Sequence, residues 1–241
     1  RARARHAAVL TAVNPGMRTH CGHGRRARGG VPLMQSKARP RERPRVRSMY
    51  ASLQAPAAQA SALPALRIGG RSALPIVQGG MGVGVSAHRL AGSVARVGAV
   101  GTLSSIDLRH HHPDLMAAPT RDRAEIERRN LVALDREVRS ALALAEGRGI
   151  VAVNVMRAVS QYADYVRQSC ESGAQAIVVG AGLPLDLPDL TKDFAGVSLI
   201  PILSDSRGIK VVLTKWMRKG RLPDAIVIEH PKHAGGHLGA A

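Results

Sequence analysis

The chain has 241 residues, a formal net charge of +18 and two cysteines. Two thiols exclude a disulfide framework and suit a reducing, cytoplasmic compartment, and no apolar run reaches the roughly 18 residues of a membrane-spanning helix. The charge is uneven: residues 1–48 carry +12 and residues 49–241 only +6, so the high pI describes a tail and gives the body no nucleic-acid face.

Residues 1–48 alternate Arg with Ala, Pro, Gly and His and show no helical or strand period. Such a stretch buries too little apolar surface to offset the cost of ordering it. It is open to three readings: a polyanion-binding arm, an Arg-rich transit peptide, or sequence upstream of a start at Met49. No aromatics interleave with the arginines to stack on bases, so no specific nucleic acid is expected. The Ala/Pro/Gln/Ser-rich stretch 51–66 reads as a leader. Residues 1–62 are therefore expected to form a disordered extension, and residues 63–241 a single domain.

From Leu74 the pattern alternates between strand and helix. Leu74–Val77 is predicted to be the first strand, followed by the glycine-rich turn Gln78-Gly-Gly-Met-Gly-Val-Gly84. Ser86 offers an N-cap to a helix with Leu90, Val94 and Val97 on one face. Further strands are predicted at Ala99–Thr102, Ile150–Val155, Ala176–Val179, Ser198–Leu203 and Ala225–Ile228. A loop over Ser104–Pro119 carries His110, His111 and His112, read as solvated or at a pocket mouth. Helices are predicted over Asp122–Glu146, Gln161–Ser172 and Ile209–Lys219. Asp205 and Arg207 are read as caps of the last helix, and Cys170 as core. Near-continuous apolar strands separated by helices mean a parallel sheet covered by helices. A doubly wound sheet would need a Gly-x-Gly-x-x-Gly turn, which residues 80–84 do not supply, so a barrel is preferred.

The polar residues gather just after strand ends. The sixth strand runs into Glu229, His230 and His233, then Ala234-Gly235-Gly236-His237. Paired glycines let backbone pass close to something flat, and the histidine stands where α/β folds keep their sites. A metal site from His230, His233 and His237 is disfavoured because Pro231 and two glycines interrupt the spacing; no metal is expected. Asn154 sits inside an otherwise apolar strand, as a core amide or a site residue.

Three motifs in register, Pro75-Ile-Val-Gln-Gly-Gly-Met81, Ala152-Val-Asn-Val155 and Ala234-Gly-Gly-His-Leu-Gly239, resemble the nitronate monooxygenase family from about Leu63 onward. The same superfamily includes an FMN-dependent enoyl-acyl-carrier-protein reductase. The resemblance implies a (β/α)8 TIM barrel binding FMN, here truncated after about strand six. It implies Gly79, Gly80 and Met81 as the loop under the flavin ring and Asn154 as a polar contact to it. It implies Gly235, with Gly236 beside it, as close backbone, Glu229 or His230 as a further flavin contact, and His237 as the catalytic base. Where family members often have Gln or Glu shortly before the Gly-Gly-His, this chain has Glu229-His-Pro-Lys-His233.

The implied activity is FMN-dependent oxidation of alkyl nitronates or nitroalkanes by O2 to a carbonyl compound and nitrite. The alternatives are an FMN-dependent NAD(P)H reductase of an enoyl thioester or quinone, and an inactive fragment with a polyanion-binding arm. The partners are then a small-molecule substrate and O2, with no membrane, and a homodimer is compatible with the full-length protein. The family's phosphate-holding loops follow strands seven and eight, beyond Ala241. Strands one and six are expected to have unpaired edges, and residues 1–241 to retain FMN weakly and dissolve poorly.

Overall fold

The apolar runs form strands and the longer periodic runs form helices. The computed structural model describes residues 8–12 and 63–229. In chain order the elements are β1 (Ala8–Ala12), β2 (Leu66–Ile68), β3 (Arg71–Ala73), β4 (Val77–Gln78), α1 (His88–Arg96) and β5 (Val100–Ser104). A 3-10 turn (Leu108–His111), α2 (Pro113–Met116), α3 (Arg123–Ala145), β6 (Ile150–Met156), α4 (Tyr162–Glu171) and β7 (Ala176–Gly180) follow. Then come α5 (Leu187–Leu190), β8 (Ser198–Leu203), α6 (Ser206–Met217) and β9 (Ala225–Glu229).

Strands β4 to β9 pair in parallel, each beside its successor in sequence. A doubly wound sheet reverses its strand order partway and carries helices on both faces. Here one face packs Val151, Val153, Val155, Ile177, Val179 and Leu199 against α1, α3, α4 and α6. The other face gathers Val100, Ile150, Ala152, Ala176, Val178, Ile200 and Ala225 with no helix among them. Helices on one face only, with strands in sequence order, make the wall of a (β/α) barrel through its first six strands. The antiparallel hairpin β2–β3 sends Ile68, fully buried, and Ala73 into the inner cluster. It lies at the amino ends of the strands: Arg71 donates to the Gly196 carbonyl at 3.2 Å, and Gly69 lies against Ser198 and Asp224. The opposite end of the wall, where the strands finish, is left for a site.

Helix α1 docks through small residues. Its buried positions are Ala91, Gly92 and Ala95, whereas the predicted face residue Val97 is 54% exposed. Close approach explains the change: a Cβ on Gly101 of β5 would lie 1.9 Å from the Ala91 carbonyl oxygen. Helix α3 buries Leu134, Val138 and Ala145 and, beside them, the polar Asn130 and Glu137. Glu137, 1% exposed, accepts from the backbone N–H of His88 at 2.7 Å and has His88 Nδ1 at 2.8 Å. A carboxylate from α3 thus satisfies the first amide of α1, where helix geometry leaves donors unpaired. His112 Nε2 approaches the other oxygen at 3.1 Å.

Other boundaries differ from the sequence expectation for local reasons. The first strand is only Val77–Gln78, because Pro75 has no N–H to offer a ladder and Leu74 instead bonds Gly98. The hairpin β2–β3 falls at the edge of the stretch read as leader. The stretch 104–119 holds a helical turn and α2 rather than loop alone. Residues 1–48 were assigned no strand, yet Ala8–Ala12 pairs in parallel with β9, in register from Ala8 opposite Ala225 to Ala12 opposite Glu229. This short run carries no arginine, and it covers the strand-six edge expected to be unpaired. Asp205 caps α6 as predicted, accepting from the Gly208 N–H. Cys170 is 6% exposed, and burial pushes its thiol up to about 12, so it is inert core at neutral pH.

Gly101→Ala is expected to lower unfolding free energy by about 3 kcal/mol, because backbone must move to admit the methyl; urea denaturation would register it. Glu137→Ala is expected to lose about 3 kcal/mol as well, since the His88 amide loses its buried acceptor. Stability equal to wild type in either variant would contradict these packing assignments.

Candidate functional site

Side chains alternate across a strand. With Val100, Ile150, Ala152, Ala176, Ile200 and Ala225 inward, the same face carries Ser104, Asn154, Gly180 and Glu229 at the carboxyl ends. Apolar layers thus give way to polar and small residues where the strands finish. Ser104 and Asn154 are register partners on β5 and β6.

The loop from Gly79 to Ala87 crosses this end. Gly80 lies directly against Asn154: a Cβ there would be 2.5 Å from the Asn154 Cβ and 3.1 Å from the Leu103 carbonyl oxygen. Only glycine lets the backbone come this close. Among the described residues the Asn154 carboxamide makes no hydrogen bond. Met81, Val83 and Val85 expose apolar side chains on the same loop, at 47%, 57% and 56%.

The loop is tied from beneath. Gln78 Nε2 donates to Ser86 Oγ at 2.9 Å and to the Thr102 carbonyl at 3.1 Å, and Gln78 Oε1 accepts from Thr102 N–H at 3.0 Å. Ser86 Oγ accepts from Met81 N–H at 2.9 Å and donates to the Gly79 carbonyl at 3.2 Å. Ser86 is therefore not the N-cap predicted for α1; the N-cap is Ala87, with no side-chain cap bond. His111, from the 3-10 turn, places Nε2 2.9 Å from the Gly84 carbonyl oxygen. Of the three consecutive histidines, His110 stays exposed, while His111 and His112 join the loop and Glu137 respectively.

Farther along the wall, a cleft of about 200 Å³ is lined by Ala181, Gly182, Leu183, Ile202, Ser204 and Glu229 among others. Glu229 thus borders an opening at the end of β9. Arg157 lies against Gly182 of this cleft, and its N–H donates to the Gly180 carbonyl at 2.8 Å. Its guanidinium lies 4.7 Å from the Tyr162 ring centroid and 3.3 Å from Asp186. Burial, with Asp186 adding to it, raises the Tyr162 hydroxyl well above the usual phenol range, so Tyr162 is neutral throughout the physiological range.

Of the residues singled out from sequence, Gly79, Gly80, Met81, Asn154 and Glu229 all fall at this one end of the wall. His230, His233, Gly235, Gly236 and His237 lie outside the described residues; the chain reaches them directly after Glu229. Gln78, Ser86 and Arg157 were not singled out for the site. The signal for Gln78 was present, a polar residue ending an apolar strand just before Gly-Gly.

The profile of the nitronate monooxygenase family matches residues 70–241, and the chain belongs to that family. No curated protein sequence matches it significantly. Among solved structures, FabK from Thermotoga maritima is similar at 22% identity and a TM-score of 0.47, over 69% of this chain and 43% of that one. The nitroalkane oxidase from Streptomyces ansochromogenes is similar at 16% identity and a TM-score of 0.29, over 64% of each chain. The chain thus spans less than half the length of the FabK structure. Among the described residues no helix is long and apolar enough to cross a membrane.

Gly80→Ala is expected to cost about 2 kcal/mol through overpacking against Asn154. The two positions touch, so the cost should shrink in an Asn154→Gly background. Additive costs in a double-mutant cycle would show that the loop does not rest on Asn154.

Proposed function

We propose that the protein binds FMN at the carboxyl end of the wall and oxidises alkyl nitronates or nitroalkanes with O2 to a carbonyl compound and nitrite. The observation that carries this reading is the contact of Gly80 with Asn154 in a chain of the nitronate monooxygenase family. A flat heteroaromatic ring needs close backbone on one face and side-chain donors at its rim. The loop Gly79–Met81 supplies the first, and the Asn154 carboxamide, which makes no hydrogen bond among the described residues, the second. Exposed Met81 supports the reading as apolar surface for a ring to cover. The residues present fit the group in shape and polarity.

When bound, FMN would supply the electron-transfer chemistry between substrate and O2. The protein's part is to hold the substrate beside the ring and to move a proton. A nitroalkane is acidic at its α-carbon because the resulting nitronate spreads its charge over two oxygens. His237 takes that proton on its imidazole, a group suited to proton transfer near neutral pH. For a preformed nitronate no proton transfer is needed, and His237 then serves to orient the anion. Glu229 borders the cleft on the same side and is assigned to the flavin rim, with Gly235 and Gly236 as close backbone.

In the full-length protein, added FMN is expected to lose fluorescence on binding, and nitronates to yield nitrite aerobically. His237→Asn should cut turnover of neutral nitroalkanes by about 100-fold or more and that of preformed nitronates by only a few-fold. Equal loss on both substrates with FMN retained would remove the base assignment. Anaerobic flavin bleaching by NADH, without nitronate turnover, would favour an NAD(P)H-dependent reductase instead.

A further inference from the structure

We propose that Gln78 and Ser86 are positioning residues that hold Gly79–Met81 in the shape required beneath FMN; this rests on the flavin reading above. Strand β4 is two residues long, paired only as Val77 with Val100 and Gln78 with Gly101. After Gln78 the backbone must leave the sheet to pass over its end. Thr102 on β5, 2% exposed, would then have both its N–H and its C=O unpaired toward the departed strand, which is costly for buried backbone. The Gln78 carboxamide answers both, accepting from Thr102 N–H at 3.0 Å and donating to Thr102 C=O at 3.1 Å. It takes the place of the peptide group that a longer β4 would have supplied. The backbone of Gly79–Met81 is thereby released from the ladder without leaving β5 unsatisfied.

Ser86 completes the device. It is fully buried, and its hydroxyl uses its whole capacity of one donor and two acceptors. It donates to the Gly79 carbonyl and accepts from Met81 N–H and Gln78 Nε2. Its backbone adds two more ties, Ser86 N–H to the Met81 carbonyl at 3.0 Å and Ser104 N–H to the Ser86 carbonyl at 2.9 Å. Both ends of Gly79–Met81 are thus drawn inward onto one hydroxyl, and Gly80 between them is set against Asn154. Neither side chain needs to touch the ligand. They fix a bend that has no support from the sheet ladder, so ordering the loop is already complete before a ligand arrives.

The test uses the full-length protein with Ser86→Ala, Gln78→Glu and, as a control, Leu199→Ala. Ser86→Ala keeps the volume and removes the hub; Gln78→Glu keeps the shape and turns the donor to Thr102 C=O and Ser86 into an acceptor. Amide exchange of residues 79–86 without flavin, the urea midpoint, and FMN affinity by fluorescence quenching are measured for each. Both loop variants are expected to speed loop exchange about 10-fold and to weaken FMN about 10-fold or more, the scale of buried hydrogen bonds lost. Leu199→Ala, which lowers global stability from the helix-covered face of β8, away from the loop, is expected to bind FMN as wild type does. Wild-type FMN affinity in both loop variants overturns the proposal, and so does weakening by Leu199→Ala equal to theirs. If the wild-type protein takes up no FMN, the flavin reading fails by itself. Loop exchange still decides the lock, and unchanged protection in the variants removes it.

Discussion

The structure depends on backbone packing against backbone where side chains are missing. A methyl on Gly101 would occupy the Ala91 carbonyl, so α1 lies directly on β5 instead of standing off by a layer of side chains. That contact fixes the start of α1, which the buried Glu137 holds by the His88 amide. With the end of β4 and the start of α1 both fixed, the loop between them has little freedom. Gln78 and Ser86 use up what remains, and Gly80 comes to rest on Asn154. The geometry of the candidate site therefore follows from a helix docking that involves no site residue.

The two faces of the wall divide the work. The helix-covered face holds most of the large buried side chains, including Trp216, whose indole N–H donates to the Pro184 carbonyl at 3.0 Å. The inner face is a thinner cluster of Val, Ile and Ala closed at one end by the hairpin β2–β3. The amide and the carboxylate on that face, Asn154 and Glu229, stand where the strands finish, because an unpaired amide or carboxylate deeper in the layer would cost more than it returns. Asn154 and Glu229 are tolerated at that height, where solvent or a ligand can satisfy them.

The sequence by itself determined the class of the fold and the general location of the site. Apolar runs at Ile150–Val155, Ala176–Val179, Ser198–Leu203 and Ala225–Ile228 are strands in the structure, and their continuity announced a parallel sheet. Glycines and polar residues after strand ends pointed to one end of it, since strand order and alternation are local properties that the chain carries residue by residue. What only the tertiary structure decided were contacts between distant segments. The buried face of α1 is set by Ala91 against Gly101, and that of α3 takes in Glu137, which answers to the His88 amide; periodicity cannot register either contact. Ser86 looks like a helix cap to its neighbours and becomes the hub of a loop only when Met81, Gly79 and Gln78 surround it. The pairing of Ala8–Ala12 with β9 joins segments more than 200 residues apart, and nothing in a local window could anticipate it. Local pattern sets which residues can face inward; close packing between separated elements sets which of them do.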